Sequence, residues 1–483
     1  MQSKTEKVFS NLAWSYAERF LAQCITLLVS IILARILEPS HYGLISIVTV
    51  FITIGDALVM GGFGNALIQK KDASEIDFNS ICWLSLGVAG LLYVILFFSS
   101  YIIANFYNNN ILVPVIRIMG LKFLFSAVNS VQHAYVQKKM IFKQFFFATL
   151  GGTIASAFLG VTLALRGYGV WALVVQYLSN TIIDTLILGL IISWKPKFQI
   201  SFESIKSLWG FGSKILASTI VFTIKDNIRS LIIGKKFTPS DLAYYNQGNR
   251  FPQLLVTDIV ESLGKVMFPV FSKNQDNLDD LKGYMRKSIR LSSYVLTPAV
   301  VGLMAVGDTF ICLILTDKWI ASSLYLRILC LAYATRSVST ILQKGLLAIG
   351  KSNVNLLHEC VTSSMTIILL LMAVLAFNSV EFIAWSYVII MLIGVTIYAY
   401  YAKKYINYSY IELIKDYFPS LAMSIIMGVF IYLFGMIRIH LFLKLCCQII
   451  LGIGIYVFLS VVLLNEEFIY LFDFFKKNIK YWR

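Results

Sequence analysis

The stretch ARILEPSHYG (34–43), followed by the apolar run ISIVTVFITIGDALVMGGFGNALIQ (45–69) and the basic pair Lys70–Lys71, decides the fold. An apolar helix ends near Leu37. Pro39 and Gly43 make a short turn, and a second apolar helix runs back to a cationic stop. A helix needs about 20 apolar residues to cross a hydrocarbon core of about 30 Å. Positions 42–66 supply them, so the stretch is a membrane hairpin that fixes the topology of what surrounds it.

Runs of this kind recur throughout the 483 residues. Hydrophobic residues make up 58% and charged residues 14%, with a mean hydropathy of +0.77. A soluble chain carries about 25% charged residues, so the composition is that of an integral membrane protein. The weak dyad alternation of a transmembrane barrel does not dominate. The expectation is an all-α polytopic membrane protein of about fourteen spans, near 11–37, 42–66, 79–104, 112–136, 145–166, 169–194, 208–233, 241–270, 289–315, 322–349, 353–377, 380–403, 414–437 and 440–464. The N-terminal stretch reads as a permanent first span. It contains Trp14, Glu18, Arg19 and Gln23, and runs longer than a signal-peptide apolar region.

The net charge of +16 follows the same plan. With a cytoplasmic N-terminus, the inner loops collect Lys70, Lys71, Lys138, Lys139, Lys143, Lys195, Lys197, Lys206, Lys273, Lys282, Arg286, Lys287, Lys351, Lys403, Lys404 and Lys415. The outer loops hold Arg166, Lys235, Lys236, Lys318 and Arg438. Such an asymmetry puts both termini inside and supports the span count. It also makes anionic membrane lipid, and not nucleic acid, the partner of the basic surface. The seven cysteines all lie in apolar segments without metal-ligand spacing and read as packing residues.

Two inner stretches exceed a tight turn, 195–207 and 272–288, and the first divides the chain. The turn ARILEPSHYG has a counterpart in GKKFTPSDLAYY (234–245): Arg35, Pro39 and Ser40 match Lys235, Pro239 and Ser240. VPVIRIMGL (113–121) likewise resembles LYLRILCL (324–331), which aligns Arg117 with Arg327. Offsets near 200 and 210 residues suggest two related six-helix bundles, 1–194 and 208–403, joined by a cytoplasmic linker at 195–207. Two further helices (404–464) and an amphipathic tail (465–483), rich in Phe, Tyr, Trp and Lys, complete the chain. Parallel repeats of this kind build transporters that rock about a midplane site.

Ionisable residues inside spans cost at least about 2.5–3.5 kcal/mol each, so they face a cavity or a partner. Span one carries Glu18 and Arg19, with Arg35 at its outer end. Span two carries Asp56, and span seven carries Lys214, Lys225, Asp226 and Arg229. Span eight carries Arg250, Asp258, Glu261 and Lys265. Lys214, Lys225 and Arg229 share one helical face, a ladder of cations suited to phosphate. Arg35, Lys214 and Lys265 would equally serve as snorkelling anchors. Glu18, Asp56, Asp226, Asp258 and Glu261 are candidates for pairing or coupling. Asp184 and Asp308 stand too isolated to assign. Phosphate-binding loops, zinc-peptidase spacing and serine-nucleophile elbows are absent, so the chain reads as a transporter without cofactor, not as an enzyme.

The hairpin with its Leu-x-Pro-x-x-Tyr-Gly turn, continued by GGFGNALIQKKD, resembles the opening of bacterial polysaccharide transport proteins. These belong to the multidrug/oligosaccharidyl-lipid/polysaccharide exporter superfamily, and the O-antigen, colanic acid and teichuronic acid flippases fit best. The resemblance implies movement of an oligosaccharide on undecaprenyl diphosphate across the cytoplasmic membrane, working as a monomer by alternating access between two bundles, beside a polymerase and glycosyltransferases. It also implies cations near the lipid diphosphate, with Arg19, Arg35, Lys225, Arg229 and Arg250 as the substrate-binding set here. A multidrug or small-cation exporter of the same superfamily, or a glycan polymerase, is the alternative.

Overall fold

The computed structural model describes residues 2–60, 62–470 and 473, and the side chains of 14, 20–60, 62–210, 212–470 and 473. It is all-helical, with no strand among the described residues. Contacts divide the chain into two units, 1–243 and 244–483.

The first unit contains α1 (Gln2–Ile36), α2 (Pro39–Met60), α3 (Phe63–Gln69), α4 (Glu75–Phe106), α5 (Leu112–Gly120), α6 (Lys122–Lys139), α7 (Phe142–Leu165), α8 (Val170–Ile191) and α9 (Phe202–Lys236). The opening turn forms as its residues dictate. α1 closes on the Leu37 N–H donating to the Leu33 carbonyl, and α2 begins on Pro39, whose missing N–H costs nothing there. The second turn repeats this: the Phe237 N–H donates to Ile233, and a helix begins at Pro239. At the end bearing Lys70, Ser74 and Asp77 form a capping box that starts α4. Asp77 also holds Lys70 at 2.8 Å. Trp194, Phe78 and Tyr135 pack there with Phe63, Leu67 and Ile81. The stretch after α8 is pinned to α4. Trp194 Nε1 and the Lys197 N–H donate to Asn79 Oδ1, and the Ser201 N–H donates to Ser80 Oγ.

The second unit contains α10 (Pro239–Lys273, whose first residues lie in the first unit), α11 (Leu278–Ala305), α12 (Gly307–Leu315), α13 (Ser322–Ala334), α14 (Arg336–Ala348), α15 (Ser352–Met372), α16 (Val380–Ile406), α17 (Tyr410–Gly435) and α18 (Leu441–Val462). Its core is built on α11, α14 and α16 around Phe271, Met285, Ile289, Ile341, Leu342 and Tyr398. A second cluster joins α17 and α18 to α11, where Tyr456 donates to the Tyr294 carbonyl and Tyr294 to Ser460.

One polar network organises an end of this unit. Asn407 takes the left-handed conformation that ends α16, and Ser409 caps α17 with Glu412. The turn between them buries Tyr408, whose hydroxyl donates to Asp416 Oδ2 at 2.8 Å. Burial first, and then the adjacent carboxylate, hold the Tyr408 phenol above its usual range, so it remains a donor. Arg286 of α11 grips the same carboxylate with a two-pronged fork at 2.7 and 3.0 Å. Lys282 pairs with Glu412 at 2.7 Å, and Arg290 reaches Glu466 at 2.9 Å.

Ten helices among the described residues are long and apolar enough to cross a membrane, or eleven with the bent α9. The expected count of about fourteen is not reproduced, for physical reasons. For α1 only the stretch Phe20–Ile36 has described side chains throughout, and it is shorter than a span. The charges and two internal prolines of α10 lower its hydropathy. The expected tenth span is split at Thr335 into α13 and α14. The expected tail is helical at 466–470 and, beyond 470, lies outside the described residues apart from 473.

Candidate functional site

In the first unit, α9 lies against α2, and the two helices run antiparallel in close contact at both ends. At one end a Cβ on Gly43 would fall 1.7 Å from the Pro239 carbonyl oxygen, so the two related turns touch backbone to backbone. Nearby, Gly234 faces Ile47. At the other end Gly62 abuts the Gly212 backbone, and Phe63 packs on Trp209 with ring centroids 5.7 Å apart. Here α9 bends by 56° between 202–210 and 212–236. Paired glycines at a bend are a recognised cause of a kink. Interrupted membrane helices mark substrate sites in transporters.

The charged residues lie between these two ends. Lys225 and Arg229 are half-buried on the straight part of α9, whereas Lys214 and Asp226 are exposed. On α2, Asp56 pairs with Lys122 of α6 at 2.6 Å, with side-chain exposures of 14% and 23%. Counting from the touching positions 47/234 and 62/212, Asp56 falls within about one helical turn of Lys225 in depth. Asp56 and Lys225 are each nine residues from the touching Ile47–Gly234 pair, about two and a half turns round their own helices. Asp56 therefore turns to α6 and Lys225 turns away from α2, so the ion pair and the two cations lie at a similar depth on different faces. Arg229 offers a planar fork to a phosphate. Lys122→Met should destabilise more than Asp56→Asn/Lys122→Met. A double-mutant cycle by thermal unfolding in detergent should give a coupling of about 1–3 kcal/mol.

The other expected residues fall elsewhere. Arg35 sits exposed in the last turn of α1. Arg250, Asp258 and Glu261 belong to α10; Arg250 is half-buried and the two acids are exposed. The side chains of Glu18 and Arg19 lie outside the described residues.

Three features escaped the sequence reading. Lys122 lies in the run 112–136 and was passed over, although a lysine inside an apolar run is itself a signal. Arg117, in the same run, stacks over Phe97 at 4.0 Å and donates to Ser100 Oγ. Asp184, which looked isolated, accepts from Asn129 Nδ2 at 2.8 Å and lies 3.2 Å from His133 Nε2. The i, i+4 spacing of Asn129 and His133 on α6 was the available clue.

The sequence matches the family described as polysaccharide biosynthesis protein over residues 32–324. The chain is a member of that family. This agrees with the resemblance carried by the opening hairpin. The teichuronic acid biosynthesis protein TuaB of Bacillus subtilis (strain 168) is 28% identical over 449 residues, covering 88% of this chain and 89% of its own length. The lipopolysaccharide biosynthesis protein WzxC of Escherichia coli (strain K12) is 26% identical over 360 residues, covering 73% and 72%. Among solved structures, the lipid II flippase MurJ in an inward closed conformation superposes with a TM-score of 0.76 at 16% identity, covering 94% of this chain and 98% of that one. At that identity the likeness establishes the family's fold, that of a multi-pass membrane protein.

Proposed function

We propose that this protein is a flippase, not an enzyme, that moves an oligosaccharide linked to undecaprenyl diphosphate across the bacterial cytoplasmic membrane for surface polysaccharide synthesis. The observation that carries the reading is a pair of half-buried cations, Lys225 and Arg229, on α9, a helix apolar enough to cross a membrane and bent by 56° next to Gly210 and Gly212. The Asp56–Lys122 pair of α2 and α6 lies at a similar depth. A diphosphate crossing a low-dielectric core needs counter-charge on its path, and Lys and Arg supply it. The names of the relatives, concerned with lipopolysaccharide and teichuronic acid, point to the glycan class. The lipid II flippase fold points to a lipid-linked cargo.

In this reading fourteen helical passages cross the membrane with both termini cytoplasmic. Of the three further passages, α10 and the α13–α14 pair fall short of a single apolar span because they are charged or broken, and α1 has described side chains throughout only over 20–36. Arg19 and Arg35 on α1, and Arg250 on α10, extend the cationic path. Glu18, Asp226, Asp258 and Glu261 balance it. The chain works as a monomer beside a polymerase and glycosyltransferases. A small-cation exporter would call for an acidic seam instead.

Lys225→Ala/Arg229→Ala tests the proposal. A charged hydrogen bond contributes about 1.5–3 kcal/mol, so transport should fall at least tenfold. Membrane insertion should be unchanged and lipid-linked glycan should accumulate on the inner leaflet. Normal surface glycan from the inserted double variant would overturn the reading.

A further inference from the structure

A groove of about 530 Å³ runs along the outward side of α15 and α16, floored by Leu357 and Val361 of the first and Ile393 and Ile397 of the second. It is almost wholly apolar and continues to Tyr401 and Tyr410. Tyr410 closes this end by donating to the Thr396 carbonyl, at 3.4 Å. Both helices are long and apolar enough to cross a membrane, so the groove runs along a membrane-crossing pair.

The tyrosine end is electrostatically distinct. Tyr401 stacks on Tyr405, with centroids 5.9 Å apart and planes within 12°. Above Tyr405 lie two ammonium groups, Lys351 at 4.7 Å and Lys404 at 5.4 Å from the ring centre. Lys403 adjoins them, and all three lysines are exposed. None forms an ion pair with a carboxylate among the described residues, although Lys282, Arg286 and Arg290 of the same unit are all paired. Three neighbouring positive charges without an acid stand one aromatic ring away from the mouth of an apolar groove.

We infer that this groove holds one acyl chain of an anionic phospholipid of the bilayer, with the lipid phosphate between Lys351, Lys403 and Lys404. The groove's length supports a bilayer lipid over a longer chain. From Ile389 to Tyr401 it follows 12 residues of α16, about 18 Å at 1.5 Å per residue. That is close to one leaflet of a core of about 30 Å. The lysine end selects the headgroup, because basic pockets between membrane helices attract anionic lipid. The bound lipid fills the seam between α15 and α16 and steadies the start of α17 through Tyr410. The groove is built from helices of the second unit alone, and the proposal is independent of the transported cargo.

The full chain, purified in detergent and stripped of lipid, is titrated with phosphatidylglycerol and with phosphatidylcholine of the same acyl chains. Retained lipid is counted by native mass spectrometry. One phosphatidylglycerol should bind at least about tenfold more tightly than phosphatidylcholine. Lys351→Gln/Lys403→Gln/Lys404→Gln should abolish that preference without changing the unfolding temperature. Ile393→Trp, which fills the groove, should weaken both lipids. Equal binding of the two headgroups, or a preference that survives the triple substitution, would show ordinary solvation by lipid and overturn the site. A polyprenyl phosphate that outcompetes phosphatidylglycerol, and loses that advantage in the triple variant, would overturn the choice of a bilayer lipid.

Discussion

Arg286→Met is expected to lower stability by about 3 kcal/mol, a drop of several degrees in unfolding temperature. Asp416 is 3% exposed, so its carboxylate relies on protein groups for its hydrogen bonds. Arg286 supplies two of them through Nε and Nη2. Without it the carboxylate keeps the Tyr408 hydroxyl and the more distant Arg290, 3.7 Å away. Breaking a buried pair from one side costs about 3–5 kcal/mol, because the remaining charge is stranded. Arg286 is one-third exposed and Arg290 remains nearby, so the lower end applies. Arg286→Lys should fall between, since a lysine cannot make the fork. Adding Asp416→Asn to Arg286→Met should recover part of the loss. Thermal unfolding in detergent is the measurement. A methionine variant within about 0.5 kcal/mol of the parent would mean that the pair does not hold α11 to α17.

The second large effect is expected at Gly43. A Cβ there would lie 1.7, 2.3 and 2.7 Å from the Pro239 oxygen, carbonyl carbon and Cα. These are backbone atoms, and none can turn aside. Gly43→Ala must therefore push the two related turns apart, at a cost of about 1–3 kcal/mol. Transport should fall at least tenfold if these ends close during the cycle. Gly87→Ala on α4 is the matched control: a Cβ there meets nothing within 4 Å. Alanine should then be neutral or favourable by up to about 1 kcal/mol. The two variants are compared by export in cells lacking the parent gene and by thermal unfolding. Equal behaviour would remove Gly43 from any role in closure.

Local features were legible in the chain itself. Pro39 after an apolar helix announced the turn, and its repetition at Pro239 announced a second turn of the same form. Both fold alike because local hydrogen bonding and proline geometry decide them. The cation ladder of α9 was legible from a spacing of eleven and four residues. Pairings between distant helices were not. Nothing in Asp416 names Arg286, 130 residues earlier, and nothing in Asp184 names Asn129 or His133. Lys122 was hidden for another reason: its stem is apolar, so it blends into a hydrophobic run until Asp56 is seen beside it. Hydropathy also blurs some of the spans themselves: α10 falls short because its charges and two internal prolines lower its hydropathy.

The long separation of Arg286 from Asp416 sets a timing problem for biogenesis. At roughly 5–20 residues per second, a ribosome needs about 6 to 26 seconds to go from one to the other. During that interval α11 has been made but the carboxylate that neutralises its two arginines has not. Arg286 and Arg290 lie in the first half of α11, eight and twelve residues from its start. There they can rest among lipid headgroups until α17 arrives. Moved two turns further along, the same arginines would have to wait in hydrocarbon. The order of synthesis, as well as the folded contact, therefore constrains where on α11 a buried ion pair can be placed.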